Sequence, residues 1–262
     1  MQNNTFSGLI VGQKIVVLDQ VDSTNSYLKL ELAKSTPVSE GTVILAEEQF
    51  AGRGQAGSKW LSQPGQNLTF SVFLHPHFIP LTEQFTLNIA ISLAINDVLS
   101  VIIGDEVKIK WPNDIYWRSN KIGGILIENS VQGANWKSAI VGIGLNVNQI
   151  AFDPALSHVS SLKAITGAEH NKGDVLRAIC EAMNKRYFEI PGKKDEQKSE
   201  YLNCLLGYGE ERAFVLAKSG EKISGIIKDV DSFGRILIQI DGDMAILSFK
   251  ELVFVNESHA DY

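Results

Sequence analysis

Apolar and polar positions along this chain follow two periods, and each change of period marks an element. Residues 14–18, 41–49 and 67–74 are short, apolar and rich in β-branched side chains, and they predict strands. Residues 107–111, 123–128 and 138–146 carry the same pattern and are expected as central strands. Asp22 or Ser23 can cap a helix running to about Lys34. The longest apolar stretch is 82–103. Its polar members Gln84, Asn88, Ser92 and Asn96 recur at every fourth position, which predicts a buried helix with one polar stripe. Residues 174–190 place Val175, Leu176, Ile179, Ala182, Met183 and Tyr187 on one helical face. Pro191-Gly192 ends that helix, and a further helix is expected over 194–206.

The pattern changes after Leu206. Runs at 212–216, 223–230, 236–240 and 245–249 alternate with a period of two. Lys218-Ser219-Gly220, 231–234 and Asp241-Gly242-Asp243 separate them as turns. Short strands about ten residues apart predict a small barrel or sheet. The chain therefore divides into residues 1–206 and 207–262.

Composition narrows the picture. With 262 residues, 44% of them apolar, the chain can bury a sizeable core. A net charge of −6 argues against nucleic acid as the main partner. No run of eighteen apolar residues occurs, and Met1–Gly8 lacks the basic start and apolar core of a leader. Cys180 and Cys204 make no disulfide framework. These features suggest a cytoplasmic protein.

Candidate chemistry concentrates in five segments. Gly52-Arg53-Gly54-Gln55-Ala56-Gly57-Ser58-Lys59-Trp60 joins two predicted strands. Its glycines allow close backbone approach, and Arg53 and Lys59 suit an anion. Val21-Asp22-Ser23-Thr24-Asn25 lies upstream at a helix start. Downstream come 108–114, which contains Lys110-Trp111-Pro112-Asn113-Asp114, then 121–128, which opens Lys121-Ile122-Gly123-Gly124. The fifth is 141–148, which contains Gly142, Gly144 and Asn146. His75-Pro76-His77 is too short, and too poor in partners, for a metal site; a strand-end loop is the expectation.

In this order and spacing the five segments resemble the biotin protein ligase family. The resemblance implies an α+β fold: a mixed sheet similar to that of class II synthetases, flanked by helices, followed by a small SH3-like barrel. It implies that ATP activates biotin as biotinyl-5′-AMP, which passes biotin to a lysine of a biotin carboxyl carrier protein or domain. Ser23 stands close to the start, so the chain resembles the short, monofunctional type without an N-terminal DNA-binding domain. The family includes monomers and homodimers.

The same resemblance assigns roles. Arg53, Lys121 and Asp114 are the catalytic candidates: Arg53 and Lys121 to neutralise charge, Asp114 to orient or deprotonate the acceptor amine. Ser23, Thr24, Asn25, Gln49, Gly52, Arg53, Lys121 and Gly124 are expected around biotin. Arg53, Gly54, Gln55, Trp60, Lys110, Asn113 and Asn146 are expected around ATP. Magnesium should ride on the ATP phosphates, with no dedicated protein metal site. Two positions depart from the family pattern: Gln55 and Ser58 stand where basic residues are common, with Lys59 nearby to supply a charge. A lipoate–protein ligase and a non-catalytic biotin-binding regulator are the rival readings.

Overall fold

The structure is a computed structural model. It describes residues 10–133 and 135–255, with the backbone of Asn3–Asn4 and, at Ala56, the backbone only. Apart from that asparagine pair, the stretch Met1–Gly8, where no leader was expected, lies outside the described residues, as does the end of the chain beyond Val255.

The first unit contains strands β1 (Asn3–Asn4), β2 (Ile15–Val21), β3 (Val43–Gln49), β4 (Leu68–Leu74), β5 (Val107–Lys110), β6 (Asp114–Trp117), β7 (Asn120–Gln132) and β8 (Asn135–Leu145). They form one mixed sheet in the order β1-β2-β3-β4-β8-β7-β6-β5. Among the described strands of this sheet, only β2 and β3 pair in parallel. Parallel neighbours need a crossover, and here it is helix α1 (Thr24–Leu32).

Period-two alternation divides the sheet into two faces with different jobs. On β4, Leu68, Phe70, Val72 and Leu74 enter the main core, while Thr69, Ser71 and Phe73 face α1. On β8, Ala139, Val141, Ile143 and Leu145 enter the core, and Ile140, Gly142 and Gly144 face the other way. Leu28 of α1 closes a small second cluster with Leu18, Ile44, Phe73 and Ile140.

Helices α2 (Phe85–Ile103) and α4 (Lys172–Cys204) cover the main-core face, with α3 (Leu162–Thr166) beside them. The polar stripe of α2 is not its solvent face. Asn88, Ser92 and Asn96 are buried. Asn88 Nδ2 donates to the Pro112 carbonyl at 2.8 Å, which ties the helix to the turn bearing Asn113. By length and composition α2 could cross a membrane, but most of it is covered by the rest of the chain. α4 runs through Pro191 with a break at Lys193, where φ is −134°, so the two expected helices meet at a kink. Arg186 braces that kink: its guanidinium binds Asp97 of α2 at 2.8 Å and Glu200 beyond the break at 2.5 Å.

The second unit holds β9 (Glu211–Leu216), β10 (Lys222–Val230), β11 (Ile236–Ile240), β12 (Asp243–Leu247) and β13 (Leu252–Phe254). These make an antiparallel sheet ordered β12-β11-β10-β9-β13. Among the described residues the sheet does not close into the expected barrel; an isolated Phe249–Leu252 bridge is the one link at its open side. Phe214, Ile227, Ile236, Ile238 and Leu252 join the same hydrophobic cluster as the large sheet. Trp111 Nε1 donates to the Gly234 carbonyl at 2.8 Å across the join. The outermost strand β5 was expected to be central. It is an edge whose Ile109 carbonyl accepts from Leu206 N at 2.8 Å, so the chain itself covers it.

Candidate active site

A cleft of about 490 Å³ opens on the α1 face of the sheet. Its floor is nearly bare backbone. Gly124 of β7 stands directly opposite Gly144 of β8, and Gly142 lies one pair further along the same face. Each absence of a side chain has a reason. A Cβ on Gly144 would overlap the Trp60 indole, and one on Gly142 would overlap the Asn25 carboxamide.

One end of the cleft is a polar chain of short side chains. Gln49 Oε1 accepts from Thr24 N at 2.8 Å and lies 3.1 Å from Thr24 Oγ1. Ser71 Oγ lies 2.7 Å from Thr24 Oγ1 and 2.5 Å from Asn25 Oδ1. A hydroxyl gives one proton. Asn25 Oδ1 can only accept, so Ser71 donates there and Thr24 donates to Ser71. Asn25 Nδ2 then donates to Glu128 Oε2 at 2.8 Å, and that same oxygen accepts from Arg53 Nη2 at 2.8 Å. The network runs unbroken from Gln49 to Arg53. Ser23 occupies the N-cap position of α1 but makes no side-chain cap bond, contrary to its expected capping role. Its hydroxyl therefore stays available where it lines the cleft.

The Gly-rich loop is folded over this end. Gly54 N donates to the Ser58 carbonyl at 2.8 Å, and Arg53 and Lys59 form a bridge. Two polar atoms buried there find no protein partner, Gln55 Oε1 and Trp60 Nε1. Buried polar groups are nearly always paired, so these two suit a ligand.

The second cation is Lys121, whose Nζ binds Asp114 Oδ1 at 2.6 Å and sits 5.9 Å from the Trp60 ring centre. Lys121 and Asp114 lie on neighbouring strands, and Asp114 pairs with Gly124, so a glycine lets the ion pair lie flat on the floor. A third cation, Lys110, makes no ion pair among the described residues. Its Nζ donates to Tyr116 Oη at 3.3 Å and lies over the rings of Tyr116 and Phe254 at 4.8 and 5.4 Å. Burial, with Lys121 adding repulsion, holds the Lys110 amine below the usual lysine range, while Asp114 pulls the other way. Burial and the Asp114 charge push the Tyr116 phenol up to about 12.

A lysine whose proton is held less tightly in the folded chain than in the unfolded one makes stability rise with pH through that window. Lys110→Met should therefore melt at a higher temperature than the parent at pH 7. The difference should shrink as pH approaches 10, because the parent then sheds the buried charge. If Lys110 contacts the nucleotide, as the family resemblance implies, ATP affinity of the variant should be lower throughout. Thermal melts and ATP titrations at several pH values read both.

The cleft gathers Ser23, Thr24, Asn25, Gln49, Arg53, Gly54, Gln55, Trp60, Lys110, Asn113, Asp114, Lys121 and Gly124. Two expected residues stand outside its wall. Gly52 is glycine because a Cβ there would overlap the Trp60 carbonyl, and its own carbonyl accepts from Trp60 N at 3.0 Å. Asn146 is buried and ties β8 to the following loop, donating to the Ser160 carbonyl at 3.0 Å. The fourth wall was not anticipated: Phe249, Lys250, Leu252, Val253 and Phe254 of the second sheet. Ser71 was also missed, because a lone serine in an apolar strand reads as filler; its position on the α1 face was the available signal.

This architecture recurs among solved proteins. A biotin protein ligase from Aquifex aeolicus, solved in complex with biotin and ATP, matches with a TM-score of 0.75 and 29% identity, over 92% of this chain and 98% of that one. The model of the biotin/lipoate A/B protein ligase family matches residues 17–146. The bifunctional ligase/repressor BirA of Salmonella typhimurium is 35% identical over 87% of this chain and 70% of its own length. The biotin--[acetyl-CoA-carboxylase] ligase of Mycobacterium tuberculosis is 27% identical over 92% and 89%. The chain spans 55% of the length of its Bacillus relatives. It belongs to the biotin/lipoate A/B protein ligase family.

Proposed function

We propose that this chain is a biotin protein ligase, which activates biotin with ATP and passes it to a lysine of a carrier domain. The observation that carries the reading is the pairing of two cations with two carboxylates, Arg53 with Glu128 and Lys121 with Asp114, on a glycine floor beside the Ser23–Thr24–Gln49 end. Short hydroxyl and amide groups suit the ureido ring and reject analogues that lack its donors and acceptors. A biotin carboxylate and an ATP α-phosphate repel each other, and Arg53 and Lys121 would offset that repulsion as they meet. A carboxylate oxygen attacks the α-phosphorus, the bond to the bridging oxygen breaks, and pyrophosphate leaves with the electron pair. An uncharged lysine amine of the carrier then attacks the acyl carbon, AMP leaves, and Asp114 takes the amine proton.

Magnesium belongs to the MgATP substrate. Among the described residues no three His, Cys, Asp or Glu side chains converge, and the carboxylates of Asp114 and Glu128 are already bound to Lys121 and Arg53. The carrier is read as a biotin carboxyl carrier domain of a carboxylase, in keeping with the name of the mycobacterial relative. Dependence on ATP and on that carrier places the work in the cytoplasm. Residues 1–206 are read as the catalytic domain and 207–262 as a C-terminal domain that walls the cleft. The family allows a homodimer, and sedimentation of the chain with and without biotin reads its assembly.

Mass spectrometry of the adenylate formed from MgATP with biotin or with lipoate tests the reading. Biotinyl-5′-AMP is expected; a lipoyl adenylate would mark a lipoate ligase, and no adenylate a non-catalytic binder. Gln55 gives a finer test. An arginine there could pair with phosphate through two parallel bonds, whereas glutamine brings no charge. Gln55→Arg should slow escape of preformed biotinyl-5′-AMP, with a gain of roughly 1–2 kcal/mol for a charge-assisted over a neutral contact. An unchanged dissociation rate would mean that Lys59 or the loop amides already hold the phosphate.

A further inference from the structure

Behind the cleft lies a second hollow of about 370 Å³, between the β5–β6 hairpin and the start of β9. The two spaces share Lys110 and Phe254 as a common wall. The hollow is lined by Lys108, Lys110, Arg118 and Arg212 against one carboxylate, Glu106. Counting Glu210, which pairs with Arg212, four cations stand against two carboxylates, a local excess of positive charge in a chain of net charge −6.

The charges are not all satisfied. Arg118 pairs with Glu106 at 2.8 Å, and Arg212 pairs with Glu210 at 2.9 Å. Lys108 and Lys110 make no ion pair among the described residues. They stand two positions apart on β5, on one face of the strand, so they form a short track leading from the cleft into the hollow. The backbone is also held in a costly shape. His158 lines the hollow with φ of 58°, a region that side-chain-bearing residues rarely adopt, whereas the φ of 51° at Arg118 is that of the tight turn between β6 and β7. Such conformations persist where the surroundings over-determine them, and they cluster at ligand sites. The volume suits a small ion rather than a protein face.

We propose that this hollow is an anion site for the pyrophosphate leaving group, reached from the cleft along Lys110 and Lys108. The proposal rests on the ligase reading for the origin of the ion, but not for the binding itself. Adenylate formation releases pyrophosphate with several negative charges beside the Arg53 and Lys121 cations. A cationic track on the far side of Lys110 draws it off without passing the acyl group.

The test is calorimetric titration of inorganic pyrophosphate into the full chain without biotin or ATP, with AMP titrated separately. Lys108→Ala and Arg212→Ala should each weaken pyrophosphate binding about fivefold, the scale of one partly exposed charge contact. Lys108→Arg should retain binding, and AMP affinity should not change in any of the three. Pyrophosphate affinity unchanged in both alanine variants would place the ion in the main cleft and overturn the proposal. So would a parallel loss of AMP affinity, which would mark general damage. A chain that binds pyrophosphate here yet forms no adenylate when given MgATP with biotin or lipoate in the mass-spectrometric assay would sink the ligase reading and leave the anion site standing.

Discussion

Lys121→Ala should lower the rate of biotinyl-5′-AMP formation by at least about two orders of magnitude, the scale for losing one preorganised charged donor at a reacting centre. The fold should survive. The Lys121–Asp114 pair has side chains 31% and 26% exposed, and partly exposed ion pairs contribute little to stability. The loss should fall mainly on the chemical step, because Thr24, Gln49 and Ser23 hold the opposite end of the cleft without Lys121. Pyrophosphate release at the parent rate would remove Lys121 from this role. A melting temperature that falls together with the rate would point instead to a structural function for the ion pair.

Gly142→Ala should be nearly as damaging, by a different route. The added methyl would overlap the Asn25 carboxamide, which is 2% exposed and hydrogen-bonded to both Ser71 and Glu128. Moving Asn25 breaks the polar chain in its middle. Overpacking of this kind costs about 1–3 kcal/mol, and each buried partner left unpaired adds about 1–3 kcal/mol. For a chain of this length each kcal/mol lowers the melting temperature by about 2–4 °C. Biotin affinity should fall roughly tenfold or more, since Ser71, which holds Thr24, and Glu128, which holds Arg53, both bond to Asn25. Gly192→Ala is the control: its Cβ would meet nothing within 4 Å, and ligand binding should be unchanged. Parent-like biotin affinity and melting in Gly142→Ala would show that the carboxamide can move without consequence.

Most of the residues that line the cleft were legible because they sit at strand ends with glycines attached. The Gly-rich loop and the segments around Lys110, Lys121 and Gly144 carry both their chemistry and their backbone signal, so pattern and motif agree. What stayed hidden was relational. Asn146 and Gly52 sit inside the expected motifs, and the structure gives each a packing role the motifs do not spell out, one bracing a loop and the other letting two loop legs touch. β5 reads as central because it is apolar, and it is an edge that Leu205 and Leu206 happen to cover. β6 and β13 have four and three residues, too short for a period to show. The polar stripe of α2 pointed inward because its asparagines serve the Pro112 turn and Cys204 rather than water. Lys250, on the cleft wall with φ of 78°, carries no sequence signal at all.

The wall supplied by residues 249–254 ties two properties together that are usually separate. A molecule seated in the cleft touches both sheets, so its binding energy also holds the C-terminal sheet in place. The resistance of that sheet to local opening then depends on ligand concentration. With the cleft empty, the segment after Leu206 loses that added support, and limited proteolysis with and without ligand reads the difference.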